Sequence, residues 1–227
     1  MPYKEIICLL KESKFLFLQE ILEGSTFVIV INIFLARIGL LENYTQLLPI
    51  INIIFIGVHM YSTAVLTLVS KNMTSKKQSY LIQLPKLALL FIGIITAILS
   101  IISLLFRFEI AYLLTPNSEF STLTSKMLGI TILANIFNPI YNVYKAGLQA
   151  IGSSNYVLYG TVAVNFASMI LMGALALYLD FGYIGISVGM FFNYFILSGM
   201  FYFKYTVKIK HDSLSNKFDL LNKKAST

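Results

Sequence analysis

The chain has 227 residues, of which 57% are apolar and 12% charged, and its mean hydropathy is +0.78. A soluble domain is about 45–50% apolar and about 25% charged, so a chain of this size could not keep so much hydrocarbon from water. The net charge of +7 does not point to nucleic acid, because the basic residues fall between and after apolar segments; the single cysteine, Cys8, excludes an internal disulfide and a cysteine zinc cluster.

Residues 1–14, MPYKEIICLLKESK, carry five charges and no small-residue cleavage site, so they are expected to form a cytoplasmic segment rather than a secretory signal. Six apolar segments follow at 15–36, 47–70, 84–106, 123–151, 156–179 and 183–205, near the length of about 20 residues that a bilayer requires. Turn chemistry separates them, as in Pro116–Asn117–Ser118, Gly152–Ser153–Ser154–Asn155 and Asp180–Phe181–Gly182. Backbone amides in hydrocarbon must be paired within their own segment, which predicts helices. Runs such as LALLFIGIITAILSIISLLF lack the alternation of barrel strands. The expected fold is therefore all-α: a polytopic bundle of six transmembrane helices over 15–205, followed by a basic cytoplasmic tail at 206–227. Pro139 is expected to kink the fourth span.

With six spans, the N-terminus, the second and fourth inter-span loops and the tail share one side. Thirteen of the seventeen basic residues lie there, against Arg37, Arg107 and Lys126 opposite, with Lys145 inside a span. This distribution predicts cytoplasmic termini. The tail is expected to be a solvated end able to touch anionic lipid. On the outer side, Asn43–Tyr44–Thr45 forms a glycosylation sequon of a kind common by chance.

Polar residues inside spans carry the functional signal, because each costs free energy in lipid. In span 1, Glu20 and Glu23 share a helix face with Gln19 and Thr26 nearby. Glu23 lies about 12 Å along the helix from Phe15, towards the middle of a core about 30 Å thick. The alternative is that the span begins later and both glutamates sit at the interface. In span 4, Thr131, Asn135, Asn138, Asn142, Lys145 and Gln149 follow steps of 4, 3, 4, 3 and 4, a single polar stripe with Tyr141 beside it. Such a stripe lines a pathway or bonds to neighbouring helices; Lys145 could pair with either glutamate or snorkel to the cytoplasmic edge. Thr161, Asn165 and Ser168 share a face of span 5, and Asn52, His59, Thr63 and Ser70 lie close to one face of span 2. His59 is expected to be structural. Gly185 and Gly189 form a weak close-packing motif in span 6.

The chain has no GxxxxGK[ST], HExxH or TVGYG sequence and only two histidines and one cysteine, which argues against nucleotide hydrolysis, metalloprotease or thiol-enzyme chemistry and a potassium-type filter. No enzyme activity and no resident metal or cofactor are expected.

The segment ILEGSTFVIVINIFLARIGLLENYTQLLPIINIIFIGVHMYSTAVLTLVSK resembles the start of the second half of a multidrug and toxic compound extrusion (MATE) transporter, with Glu23 and Gln46 at matching positions. NPIYNVYKAGLQAIGSSNYVLYGTVAVN resembles that family's tenth span and following loop, and FGYIGISVGMFFNY its last turn and span. The resemblance implies half of a cation-coupled multidrug efflux antiporter of the bacterial cell membrane, working by alternating access against a second six-helix bundle. Such a bundle would be a separate first half or another copy of this chain. It implies Glu23 as the exchangeable-cation carboxylate, with Glu20 beside it, and H+ or Na+ as the transported coupling ion. Asn138, Tyr141, Asn142, Lys145 and Asn165 would line the cavity of a small, cationic amphiphilic substrate. Many sodium-coupled relatives have aspartate where Asn138 stands, which puts sodium in doubt. The alternatives are half of a lipid-linked sugar flippase of the same superfamily and a non-transporting membrane subunit that binds another protein. An ABC-type permease half is disfavoured by the short fourth loop.

Overall fold

The computed structural model describes the backbone of residues 14, 17–19, 21–74, 78–114 and 118–225, and the side chains of all these except 23–25, 74, 78–79, 118–120 and 211–225. Among the described residues every regular element is a helix, as long apolar runs require where backbone amides can find partners only within their own segment. A π-helical stretch, Ile21–Phe27, leads into α1, Val28–Arg37. Gly39, at a positive φ of 71° that side chains resist, turns the chain into α2, Leu41–Ile54. α3 is Ile56–Thr74, α4 Gln78–Leu105, α5 Arg107–Leu114 and α6 Ser118–Ala134. α7, Asn138–Ala150, is followed by α8, Ser154–Gly173, which ends in a π-helical Ala174–Tyr178, and by α9, Gly182–Ala225.

Among the described residues three helices are long and apolar enough to cross a bilayer, Tyr80–Leu105, Ser154–Tyr178 and Gly182–Lys210, at the places of the expected third, fifth and sixth spans. α2 and α3, bent by 49° at Phe55, would together make a fourth. The expected first and fourth spans take other forms. α1 has 10 residues beyond its π-helical start, and the fourth divides into helices of 17 and 13 residues. That division lies at residues 135–137, ahead of Pro139 rather than on it. Proline lacks an N–H and is best housed in the first turn of a helix, where Pro139 stands in α7. α9 continues as helix through the 205/206 boundary expected between bundle and tail.

α7 is the inner helix, packed against α3, α4, α8 and α9. Its buried face holds Tyr141, Val143, Tyr144, Gly147 and Leu148. Gly147 admits the Tyr205 ring of α9, whose Cε2 would lie 2.8 Å from a Cβ added there. The Tyr205 hydroxyl donates to the Leu81 carbonyl at 2.6 Å, joining α9 to α4. Lys208 Nζ donates to the Ile151 carbonyl and to Ser153 Oγ, both at 2.7 Å, and so closes the C-terminal end of α7. Two further bonds tie the opposite end of the bundle: Asn43 Nδ2 to Thr124 Oγ1 at 2.9 Å, and Thr131 Oγ1 with the Tyr183 hydroxyl. Asn43, the sequon asparagine, is therefore a buried packing residue at 1% exposure. Outward, α4 presents Leu87, Leu90, Ile94, Ile98 and Ile101, the arrangement that a hydrocarbon surround permits and water would not.

The glycine pair of α9 is close-packed. A methyl group on Gly185 would stand 2.6 Å from the Ala176 backbone nitrogen, and one on Gly189 would overlap Met172 Cγ. Backbone cannot yield as a side chain can, so Gly185→Ala should destabilise the bundle by about 1–3 kcal/mol. Gly199→Ala, with nothing within 4 Å of the added carbon, should leave stability unchanged or slightly raised. Thermal unfolding of the two variants in detergent, followed by size-exclusion chromatography, checks this; equal midpoints would refute the close approach of α9 to the chain before it.

Candidate functional site

The polar stripe begins as bonds between helices, passes through a cavity and ends again as a bond between helices. At its α6 end Thr131 donates to the Met127 carbonyl at 2.7 Å and meets Tyr183 of α9. At its α7 end Gln149 Nε2 donates to Gln19 Oε1 at 3.0 Å, bringing the segment 17–19 against α7. Between them the asparagines bond along their own chain, across the helix break. Asn135 Nδ2 donates to the Thr131 carbonyl at 2.9 Å and Asn138 Nδ2 to Asn135 Oδ1 at 3.2 Å. Asn142 Nδ2 donates to the Asn138 carbonyl at 3.0 Å and to Asn138 Oδ1. Side chains bonded this way brace the break without reaching for a neighbouring helix, and their outer faces remain available to a cavity.

That cavity has a volume of about 400 Å³, within the range of small-molecule sites. Asn135, Asn138, Tyr141, Asn142 and Lys145 form one wall, Asn165 of α8 and Met190, Asn193 and Tyr194 of α9 another. Tyr44, Leu48, Ile51 and Asn52 of α2, Phe55 at the bend, His59 of α3, Phe27 of the π-helical stretch and Val28 of α1 complete the lining. The five residues expected as cavity-lining, Asn138, Tyr141, Asn142, Lys145 and Asn165, are thus brought together around one space. Tyr141 is 2% exposed, its ring stacked on Phe201 at 5.7 Å, and Lys145 Nζ stands 5.5 Å from the Tyr141 ring centre. A smaller cleft of about 160 Å³, with Ser62, Thr63, Leu66, Ala146 and Gln149 in its lining, shares His59, Asn142 and Lys145 with the first. His59, expected as structural, lines both.

Glu20 lies outside the described residues. Glu23 has its backbone in the π-helical Ile21–Phe27, while its side chain, and with it the expected pairing to Lys145, lies outside them. Sequence periodicity missed Asn193. It is 2% exposed and its Nδ2 donates to Asn165 Oδ1 at 2.7 Å and Ser168 Oγ at 3.2 Å. A lone asparagine in an apolar helix has no period; the signal that could have found it was its cost in lipid, which demands a partner. Among the described residues no three His, Cys, Asp or Glu side chains gather as a metal site would need.

A family model described as MatE matches residues 25–179, more than half of the chain. The match holds all five cavity residues and begins just after Glu20 and Glu23. No curated protein and no solved structure matches the chain. A helical chain with membrane-spanning segments, a polar cavity between them and a match over that length belongs to the MatE family of membrane transporters.

Proposed function

We propose that the chain is half of a cation-coupled multidrug efflux antiporter, and that the cavity of about 400 Å³ is its share of the substrate path. The observation that supports this most is the convergence of polar residues of α2, α3, α7, α8 and α9, and of Asn135 in the break before α7, on one space, since polar groups in a membrane bundle mark pathways. Glu23 is the exchangeable-cation carboxylate in this proposal, with Glu20 tuning it. An uncharged Asn138, where sodium-coupled relatives carry aspartate, favours H+ over Na+. In this proposal the lysine distribution puts both termini in the cytoplasm, and the bacterial cell membrane is the location that the family resemblance implies. Alternating access requires a second six-helix bundle to rock against this one.

Orientation is tested by single cysteines. A cysteine replacing Glu42, which is exposed beside the α1–α2 turn, should react with an impermeant thiol reagent from outside, and one replacing Asn155, exposed at the start of α8, only after permeabilisation. The reverse pattern would invert the topology. Buried Asn43 would be a poor probe.

Coupling is tested by Glu23→Gln. In vesicles holding this chain with its partner bundle, the variant should lose ion-driven efflux while inserting normally, and Glu20→Gln should lose less. Undiminished efflux by Glu23→Gln would remove the carboxylate from the mechanism.

The need for a partner is tested by reconstituting the chain alone and measuring oligomeric state together with dye efflux. A monomer should not transport, because it presents only one wall of the path. Efflux by a demonstrated monomer would end the half-transporter proposal, whereas efflux by a homodimer would identify the second bundle as another copy.

A further inference from the structure

His59 stands one turn past the bend at Phe55, and about 22 Å of helix separate it from the end of α3 at Thr74, which puts its imidazole at membrane depth. Gly57 faces α4, where a Cβ added to it would stand 3.6 Å from Ile95 Cγ2. His59, two residues and about 200° further round the helix, is exposed and faces away from α4 into the cavity. Its carbonyl accepts a bond from Thr63 Oγ1 at 2.9 Å, but among the described residues nothing bonds to its ring. A histidine kept for packing would have such a partner, because an ionisable group at this depth is costly unless it is bonded or meets an aqueous space.

Its place is the neck between two spaces. His59, Asn142 and Lys145 are shared by the cavity of about 400 Å³ and the cleft of about 160 Å³. The cleft continues along α3 and α7 to Leu66 and Gln149. It is smaller than the roughly 300–1,000 Å³ of small-molecule sites, which makes it a route for water and protons rather than for cargo. Around the ring, α7 brings Lys145 and Tyr141, α2 Tyr44 and α9 Tyr194, while α4 carries no ionisable side chain between Lys86 and Arg107. Of these side-chain types, imidazole is the one that ordinarily changes charge between about pH 5 and 8. Lys145 has interactions of its own, with the Tyr141 ring and beyond it, and is present in both protonation states of His59.

We infer that His59 is a second proton-binding residue of the path, distinct from Glu23, and that a proton on its ring bars cationic cargo from the neck. The inference rests on the cavity being the cargo path, and it adds a competition between proton and cargo at a named residue. Two unit charges about 12 Å apart at an effective dielectric constant of about 20 repel enough to weaken binding about tenfold, so direct contact between cargo and ring is not required. An arriving cation drives the proton off the ring to solvent through the cleft. A neutral molecule of the same shape leaves it in place.

Two probes of similar shape separate these cases: tetraphenylphosphonium, a cation, and triphenylphosphine oxide, which is neutral. Their equilibrium binding to the full chain in lipid nanodiscs is measured at about pH 5.5 and about pH 8, to either side of the ordinary imidazole range. A Glu20→Gln/Glu23→Gln background removes both carboxylates of the first helix from the comparison. There the cation should bind about tenfold more weakly at the lower pH, and the oxide should change less than about twofold. Adding His59→Gln should bring the cation's pH ratio below about twofold. His59→Arg should hold the cation at its weak, low-pH affinity at both pH values. The other histidine, His211, is present in every chain and so cannot account for a difference between them. An unfolding midpoint confirms that each variant is folded, and His59→Asn replaces His59→Gln if the latter is not. A tenfold ratio that survives the loss of His59, an equal ratio for the oxide, or no pH effect before His59 is changed would each overturn the inference and leave the cargo path standing. Binding of neither probe at either pH would remove the cargo path, and this inference with it.

Discussion

The break between α6 and α7 is the feature on which the cavity depends, and its existence is a problem of unsatisfied polar groups in hydrocarbon. Interrupting a helix at membrane depth frees backbone atoms that lipid cannot serve. Here the Asn135 N–H reaches back to the Thr131 and Ile132 carbonyls, and the Asn138 N–H to the Asn135 carbonyl, so the chain crosses residues 135–137 in tight turns. The asparagine side chains run alongside as a second ladder of bonds. Proline at the start of α7 withholds a donor where a helix has none to spare for a partner, so it costs little there. The same amides that brace the break face the cavity, so the element that makes the space also supplies its chemistry.

Holding α7 at the centre takes anchors at both ends. Towards its C-terminus the glycine that admits Tyr205, the Tyr205 bond to the Leu81 carbonyl and the Lys208 cap bind α4, α7, the α7–α8 turn and α9 together. Rings reinforce this: Tyr144 lies edge-on to Tyr202, and Lys204 stands 5.1 Å from the Tyr156 ring centre. At the other end of the bundle, Asn43–Thr124 and Thr131–Tyr183 join α2 to α6 and α6 to α9. The cavity occupies the stretch between these ties, where polar atoms bond within their own helix or across to α8 and α9.

How much of this was legible in the sequence follows from which features have a period. The stripe from Thr131 to Gln149 was legible because 4-3-4-3-4 spacing survives even a helix break of three residues. The long runs that became α4, α8 and α9 were legible because sustained apolarity over more than 20 residues has few other causes. The bend at Phe55 was not legible, since no glycine or proline marks that residue. The start of α2 at Leu41 was hidden by Glu42, Asn43 and Thr45, which read as a loop until Asn43 is seen bonded to Thr124. The break ahead of Pro139 was foreseen in cause but displaced in position, because proline forbids a donor at its own place and shapes the backbone before it. Asn193 needed three dimensions: its partners, Asn165 and Ser168, lie 28 and 25 residues away along the chain.

The length of α9 has an electrical consequence. At about 1.5 Å per residue its 44 residues measure about 66 Å, roughly twice the hydrocarbon thickness of a bilayer. The part long and apolar enough to span ends at Lys210, so the remainder extends about 22 Å further if it keeps its axis. Ionic screening at physiological salt decays over about 8 Å. Charge at the far end of such a helix lies more than two screening lengths from the lipid headgroups and is nearly blind to their surface potential, whereas charge near Lys208 and Lys210 is not. Attraction to anionic lipid, expected for the tail as a whole, would then be felt in its first turns only, and the outer end would act as a mast standing clear of the membrane.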